Sequence, residues 1–333
     1  MPMAVPAPLI DRHGRAIDYL RVSVTDRCDL RCRYCMAEEM RFLPREAIMD
    51  LDEIAVIAEH FIARGVRRVR LSGGEPLVRR GVTGLARRLG GQIGAGLDEL
   101  TLTTNGTRLA THARDLADAG IRRVNVSLDS RDPATFRHIT RHGDVGQVLD
   151  GIAAARAAGL AIKINMVALA GLNEHEIAPM LAWCGEQGFD LSLIETMPLG
   201  QVDEDRADRF VPLTRIFDRL SARHALVRDL HRTGGPARYW RTPWGTRLGL
   251  ISPLTANFCD GCNRVRLTTE GKLYMCLGHD DQVDLRAALR EGGTAALDAA
   301  IDAALVAKPA RHAFAIAPGA APAVARHMNV TGG

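Results

Sequence analysis

The stretch Cys28-Asp29-Leu30-Arg31-Cys32-Arg33-Tyr34-Cys35 places three thiols in C-x3-C-x2-C spacing, inside the longer run from Ser23 to Met36. A β-like run, Ile17 to Thr25, precedes it, and Asp26-Arg27 reads as the exit from that strand. The segment is therefore read as a loop that wraps a metal group rather than as a helix presenting three side chains. Soft thiolates suit zinc, copper(I) and iron–sulfur clusters, and a cluster ordinarily takes four of them. Three thiolates leave one iron without a protein ligand, and an open coordination position is what separates a reactive metal site from a structural one. On spacing alone, a zinc ion completed by a distant residue and three unrelated buried cysteines remain open alternatives.

The other cysteines divide into Cys184 alone and the group Cys259, Cys262 and Cys276. An odd total in two tight groups argues for metal sites in a reducing compartment rather than a disulfide framework. Cys184 falls in the apolar pattern Ile177, Met180, Leu181, Cys184 and is expected in a helix core. Around the second group, Asn263 to Thr268 alternates like a strand, and Gly271-Lys272 reads as the turn to a second strand ending near Cys276. A zinc ribbon with His279 as fourth ligand competes here with a second three-cysteine cluster.

A formal charge of +4 is too small to argue for nucleic acid, though it permits an anionic ligand. The proline-bearing start from Met1 to Ile10 lacks the pattern of a secretory signal, and no apolar run approaches membrane-spanning length. The expectation is a cytoplasmic protein that binds neither nucleic acid nor membrane.

Between residues 17 and 198 the sequence alternates two periods. Expected strands are Ile17 to Thr25, Arg67 to Leu71, Glu99 to Thr104, Arg123 to Leu128, Ala161 to Val167 and Leu191 to Met197. The clearest helix carries Leu51, Ile54, Ala55, Ala58, Phe61 and Ile62 on one face, and Gly65, Gly120 and Gly159 sit where helices should end. Strands alternating with helices imply a parallel sheet, either doubly wound or curled into an incomplete barrel. In both, ligands gather at the carboxyl ends of the strands. That rim carries Ser72-Gly73-Gly74-Glu75-Pro76, Thr103 to Gly106, Ser127 to Asp129, Asn165 and Glu195 to Pro198. Paired glycines there would let the backbone approach a ligand.

After Pro198 the pattern breaks. Residues 200–209 read as a linker or exposed loop, residues 210–245 as a short amphipathic helix and a Gly234-Gly235-Pro236 turn, and residues 280–328 as an alanine-rich amphipathic helix. The expected division is a barrel over 1–198 and a smaller mixed layer over 199–333 that closes its mouth. Arg21, Arg70 and Lys163 would project toward that mouth, and Arg264 and Arg266, two apart on one strand face, would cover it. Cations converging on one cavity call for a polyanion such as a triphosphate.

The C-x3-C-x2-C run with Tyr34 before its third cysteine resembles the signature of the radical S-adenosylmethionine (SAM) superfamily. With the second group, Cys259-x2-Cys262-Asn263-Arg264-x-Arg266 and Cys276, nearly the whole chain is similar to the GTP 3′,8-cyclase (molybdenum cofactor biosynthesis protein A) family. The resemblance implies an incomplete (βα)6 radical SAM barrel with a C-terminal mixed layer carrying a second cluster. It implies two 4Fe-4S clusters, the first on Cys28, Cys32 and Cys35 and the second on Cys259, Cys262 and Cys276. SAM would meet Tyr34, Gly74, Ser127 and Met197, and GTP would meet Arg21, Arg70, Thr103, Lys163, Arg264 and Arg266. Arg264, Arg266 and the terminal Gly332-Gly333 would be needed for catalysis.

The implied reaction is that of a lyase in molybdenum cofactor biosynthesis. A 5′-deoxyadenosyl radical takes the C3′ hydrogen of GTP and the C3′ radical adds to guanine C8. The implied partners are an electron donor such as flavodoxin or ferredoxin, the downstream cyclic pyranopterin monophosphate synthase, and a second copy of the chain in a homodimer. A peptide-modifying radical SAM enzyme would carry more C-terminal cysteines. An electron-transfer or zinc-stabilised interaction protein would need no set of converging cations.

Overall fold

The structure, a computed structural model, describes residues 8–332. Six strands alternate with helices: β1 (Tyr19–Ser23), β2 (Arg68–Ser72), β3 (Glu99–Thr104), β4 (Arg123–Ser127), β5 (Ala161–Ala168) and β6 (Asp190–Glu195). Between them run α1 (Leu51–Ala63), α2 (Val82–Gly90), α3 (Leu109–Asp118), α4 (Pro133–Thr140), α5 (Val145–Ala157) and α6 (Ile177–Gln187). All six strands are parallel and lie in the consecutive order β1-β2-β3-β4-β5-β6. A doubly wound sheet reverses its strand order in the middle; this one does not. The helices accordingly pack side by side, α1 on α2, α2 on α3 and α3 on α5, as a single outer layer of a partial barrel.

The C-terminal mixed part extends both edges of this sheet. After α7 (Arg206–Arg209) and α8 (Leu213–Ser221) come β7 (Val227–Asp229), β8 (Arg238–Arg241) and β9 (Arg247–Ile251). Strand β9 joins β6 in parallel, with β8 and β7 antiparallel beyond it. On the opposite edge β10 (Arg264–Leu267) pairs in parallel with β1, followed by antiparallel β11 (Lys272–Tyr274) and β12 (Gln282–Asp284). The alanine-rich region is helical only in α9 (Leu285–Ala307), interrupted at Gly293, where φ is 62°. Residues 309–327 are an irregular strap leading to α10 (Met328–Thr331). The expected loop at 200–209 is partly folded in, with Val202 buried. Among the described residues, no helix is long and apolar enough to cross a membrane.

Strand period decides what faces inward. On β1 and β10, Leu20, Val22, Val265 and Leu267 join the apolar core, while Arg21 and Arg266 occupy the alternate positions. The barrel interior is therefore polar, and the main apolar core lies between the sheet and the helices.

Helix α1 shows how local signals fix that outer layer. Ile54, Ala55, Ala58, Phe61 and Ile62 are buried on its sheet-facing side, and Asp50 and Glu53 form a reciprocal capping box at its start. Gly65, Gly120 and Gly159 follow the caps of α1, α3 and α5 with φ of 100°, 85° and 80°, a conformation that only glycine adopts without strain. Cys184 is fully buried in α6. Replacing Asp50 by Ala leaves the Glu53 N–H without its acceptor. We expect a loss of about 1 kcal/mol in urea unfolding of the metal-free protein, with Asp50→Asn close to wild type.

Candidate active site

The first cysteine group occupies the loop between β1 and α1, and three neighbours shape that loop. From one side, the last carbonyls of α4 accept backbone N–H groups: Arg31 donates to Thr140 at 3.1 Å and Arg33 to Ile139 at 3.0 Å. Arg141, the next residue, has φ of 65° without being glycine, and its guanidinium donates to the carbonyls of Arg31 and Met36. From the other side come Gly73 and Gly74. A Cβ on Gly73 would lie 2.2 Å from the Thr25 carbonyl oxygen, and one on Gly74 2.3 Å from that of Arg27. The paired glycines thus serve first to admit the cysteine loop itself, while also lining the cavity beside it.

Cys28, Cys32 and Cys35 all face that cavity, whose wall includes Tyr34, Gly74, Thr103, Ser127 and Met197. The sequence-expected SAM contacts are therefore gathered around the first triad. Thr103 lines this cavity rather than the cationic one described below, and its hydroxyl is buried without a hydrogen-bond partner. The Tyr34 hydroxyl donates to Asp129 at 2.7 Å, and Asp129 also accepts the Val167 N–H at 2.8 Å. Burial pushes the Asp129 carboxyl up to about 6 in spite of these donors.

Glu75 performs a similar tie. Its buried carboxylate accepts from Leu77 N, Thr104 Oγ1 and Asn105 N, joining the rims after β2 and β3, and burial lifts its pKa to about 7. The Asn105 amide then reaches Asp29 at 2.7 Å and Cys28 Sγ at 3.7 Å. Glu75, Asn105 and Asp129 stood in the quoted rim stretches, but nothing in their spacing distinguished them from ordinary turn residues.

A second cavity shares Asn165, Ile194 and Met197 with the first. Arg21, Arg70, Lys163, Arg264 and Arg266 all line it, together with Cys259, Cys262 and Cys276. Sheet register explains the convergence: Arg21 stands directly opposite Arg70 on β2 and Arg266 on β10. Arg21 is buried with its Nε unpartnered, and burial, then Arg266 and Arg70, hold its pKa well below the usual guanidinium value. Among the described residues that line this cavity there is no carboxylate.

The remaining walls come from the segment the sequence read as a short amphipathic helix and a turn. Thr233 and Gly235 of the glycine-rich turn contribute, and Tyr239 of β8 accepts a hydrogen bond from the Lys163 ammonium. Burial, then Arg70 and Arg123, lowers the Lys163 pKa to about 7. His279, the possible fourth zinc ligand, instead hydrogen-bonds the Arg311 carbonyl at 2.9 Å and does not line the cavity.

The two triads differ electrostatically. Burial pushes Cys28 and Cys35 up to about 12, with Glu75 and Asp29 adding to it at Cys28 and Asp129 at Cys35. Burial also acts on Cys262, but Arg264 and Lys308 outweigh it and bring that thiol down to about 7.

The C-terminal tail bridges the two cavities. Met328 and Asn329 line the first, and the Asn329 amide donates to the Asp26 carbonyl at 2.7 Å. The Gly332 carbonyl accepts from Arg266 at 2.8 Å. Gly332 has φ of 70°, and a Cβ there would lie 2.5 Å from Ser72 Oγ. Gly333 lies outside the described residues.

Three reduced cysteines on one loop, beside a cavity at the carboxyl end of a partial barrel, define the class of radical SAM enzymes. The Radical SAM superfamily model matches residues 22–184, and the Molybdenum Cofactor Synthesis C model matches residues 189–314. A GTP 3′,8-cyclase of Erythrobacter litoralis is 57% identical over 98% of each chain. One of Rhizobium etli is 55% identical over 100% of this chain and 97% of its own. Among solved structures, Streptococcus suis SuiB bound to S-adenosylmethionine aligns with a TM-score of 0.57 at 16% identity. The alignment covers 82% of this chain but only 62% of SuiB, and that likeness speaks for the fold. The chain belongs to the GTP 3′,8-cyclase family.

The depressed pKa of Lys163 yields a sign. Above about pH 7 the free protein holds this amine neutral, and a bound polyanion raises its pKa, so binding takes up a proton. Inorganic triphosphate should therefore bind more weakly as pH rises through that value. Calorimetry in two buffers of different ionisation enthalpy should register the uptake, and Lys163→Met should abolish it.

Proposed function

We infer that this chain is a radical SAM GTP 3′,8-cyclase acting in the first step of molybdenum cofactor biosynthesis. The observation that carries this is the second cavity, where five cations converge beside a cysteine triad and, among the described residues, no carboxylate lines the wall. A triphosphate supplies the missing negative charge, and the forked guanidinium groups suit its oxygens. The first triad fits a three-thiolate cluster with SAM. All three sulfurs border one cavity, and an unpartnered threonine hydroxyl and two side-chain-free glycines lie on its wall. When bound, that cofactor pair supplies a 5′-deoxyadenosyl radical able to remove the C3′ hydrogen of GTP, after which C3′ joins guanine C8.

The protein's own contribution is placement and shielding. Arg21, Arg70, Arg266 and Lys163 would hold the phosphates. Met197, Ile194 and Asn165, common to both cavities, would keep the ribose between the two centres. Tyr34, Gly74, Ser127 and Met197 would seat SAM, with Thr103 at the junction toward GTP. Cys259, Cys262 and Cys276, which line the same cavity as the cations, would hold the second 4Fe-4S cluster and so place a Lewis-acidic centre within reach of the guanine. Arg264 beside Cys262, together with Gly332, whose carbonyl accepts from Arg266, and the following Gly333, would complete the catalytic set.

In this reading residues 1–198 bind SAM and the first cluster, and residues 199–333 carry the second cluster and close the mouth. Family membership supports a lyase assignment, a cytoplasmic setting, a flavodoxin or ferredoxin as electron donor, and a homodimer. It also supports delivery of product to cyclic pyranopterin monophosphate synthase.

The direct test is anaerobic reconstitution, expected to give about eight irons per chain, followed by dithionite-driven turnover of SAM and GTP. Zinc at Cys28, Cys32 and Cys35 would defeat the reading. Arg266→Ala should weaken GTP binding at least about tenfold, roughly 1.4 kcal/mol or more. SAM cleavage uncoupled from GTP should persist in that variant, and an equal loss of both would remove Arg266 from the nucleotide site.

A further inference from the structure

Helix α9 is followed at its C-cap by Lys308, a residue only 1% exposed. Lysine is almost never fully buried without a partner, because its ammonium loses its hydration. Here the ammonium donates to the carbonyl of Arg264 at 2.9 Å and to that of Met275, and lies 3.7 Å from Cys262 Sγ. Arg264 is two residues after Cys262, and Met275 immediately precedes Cys276. One side chain thus ties together the backbone segments that carry two of the three sulfurs.

Its charge is also uncompensated: among the described residues no carboxylate forms a salt bridge with Lys308. The Arg264 guanidinium approaches the same sulfur at 3.8 Å. Arg15, which donates to the Cys259 carbonyl at 2.9 Å, is already neutralised by Asp11. At the first triad the surroundings are opposite. Asp29, Glu75 and Asp129 lie nearby, and the Cys28 sulfur meets neutral donors, the Leu30 N–H at 3.4 Å and the Asn105 amide at 3.7 Å, with Arg206 as the cation toward Cys35. Net charge and hydrogen bonds to the sulfurs are what set the potential of an iron–sulfur centre.

We propose that Lys308 is a positioning residue of the second cysteine triad, and that its buried ammonium raises the reduction potential of the cluster held there. The inference rests on the assignment of Cys259, Cys262 and Cys276 as cluster ligands. Reduction adds one electron from an external donor and forms or breaks no bond. The reduced cluster carries one more negative charge, so an adjacent cation favours it.

The test uses a parent variant with Cys28, Cys32 and Cys35 all replaced by Ser, reconstituted anaerobically so that only the second triad can bind iron. About four irons per chain are expected; an iron-free parent would overturn the second centre itself, before any change at Lys308. Dye-mediated titration with dithionite, followed by electron paramagnetic resonance, then gives the midpoint. Lys308→Met and Lys308→Gln, the latter keeping an amide donor for the carbonyls, should each shift it to more negative values. Lys308→Arg should restore it toward the parent. A neutral variant that keeps both iron and the parent midpoint overturns the proposal. If neither neutral variant holds iron, retention by Lys308→Arg supports the role of the charge, and loss from all three overturns it.

Discussion

Arg266, Arg21 and Arg70 stand at one level across three adjacent strands, their side chains on the same inward face. At an effective dielectric of about 20, each neighbouring pair repels by on the order of 2–3 kcal/mol. A sheet does not acquire such a row by accident, since apolar residues at these positions would pack without cost. The strain is tolerated because the outer face of the same strands is fully engaged. Leu20, Val22, Val69, Leu71, Val265 and Leu267 are buried against the helices. Stability is thus built on one face of the sheet, and the other is left to hold charge that no carboxylate of the described cavity wall balances.

Strand connectivity then determines which charges meet. Parallel pairing of β10 with β1 brings Arg266 beside Arg21, although the two are distant in sequence. The same pairing sets Cys262, just before β10, near the entry to β1, where the Asn263 carbonyl accepts the Tyr19 N–H at 3.2 Å. On the far edge, β9 against β6 and β8 against β9 carry Tyr239 to Lys163. The cationic cavity is accordingly a product of both edge extensions, with the six-stranded barrel between them as its floor.

This explains what could and could not be read from the sequence. All six barrel strands lie within two residues of their expected bounds, because period and helix-ending glycines are local signals. The cysteine triads and the inward position of Arg264 and Arg266 were equally local. Edge pairing is not local: β9, Arg-Leu-Gly-Leu-Ile, sits in a stretch of turns and gives no hint that it continues the barrel. Nor could spacing show that Gly73 and Gly74 make room for the Thr25–Arg27 backbone, or that Thr103 belongs to the first cavity. The strap over 309–327 lacks periodicity altogether. Its course is fixed by distant clamps such as Arg15 on the Pro309 and Ala310 carbonyls.

That strap has a consequence for how the site assembles. It begins at Lys308, bonded beside Cys262, and continues to Arg326, whose guanidinium donates to the carbonyls of Cys276 and Leu277. Beyond it, Asn329 reaches the Asp26 carbonyl in the first cysteine loop, and Gly332 ends on Arg266. One continuous segment therefore touches the second triad, the first loop and the cationic row in turn. Ordering it costs conformational entropy once, and each of those sites repays part of that cost. Anything that fixes the Cys259–Cys276 region lowers the remaining penalty for seating the tail against Ser72 and Arg266, so the two halves of the site are coupled through this one segment.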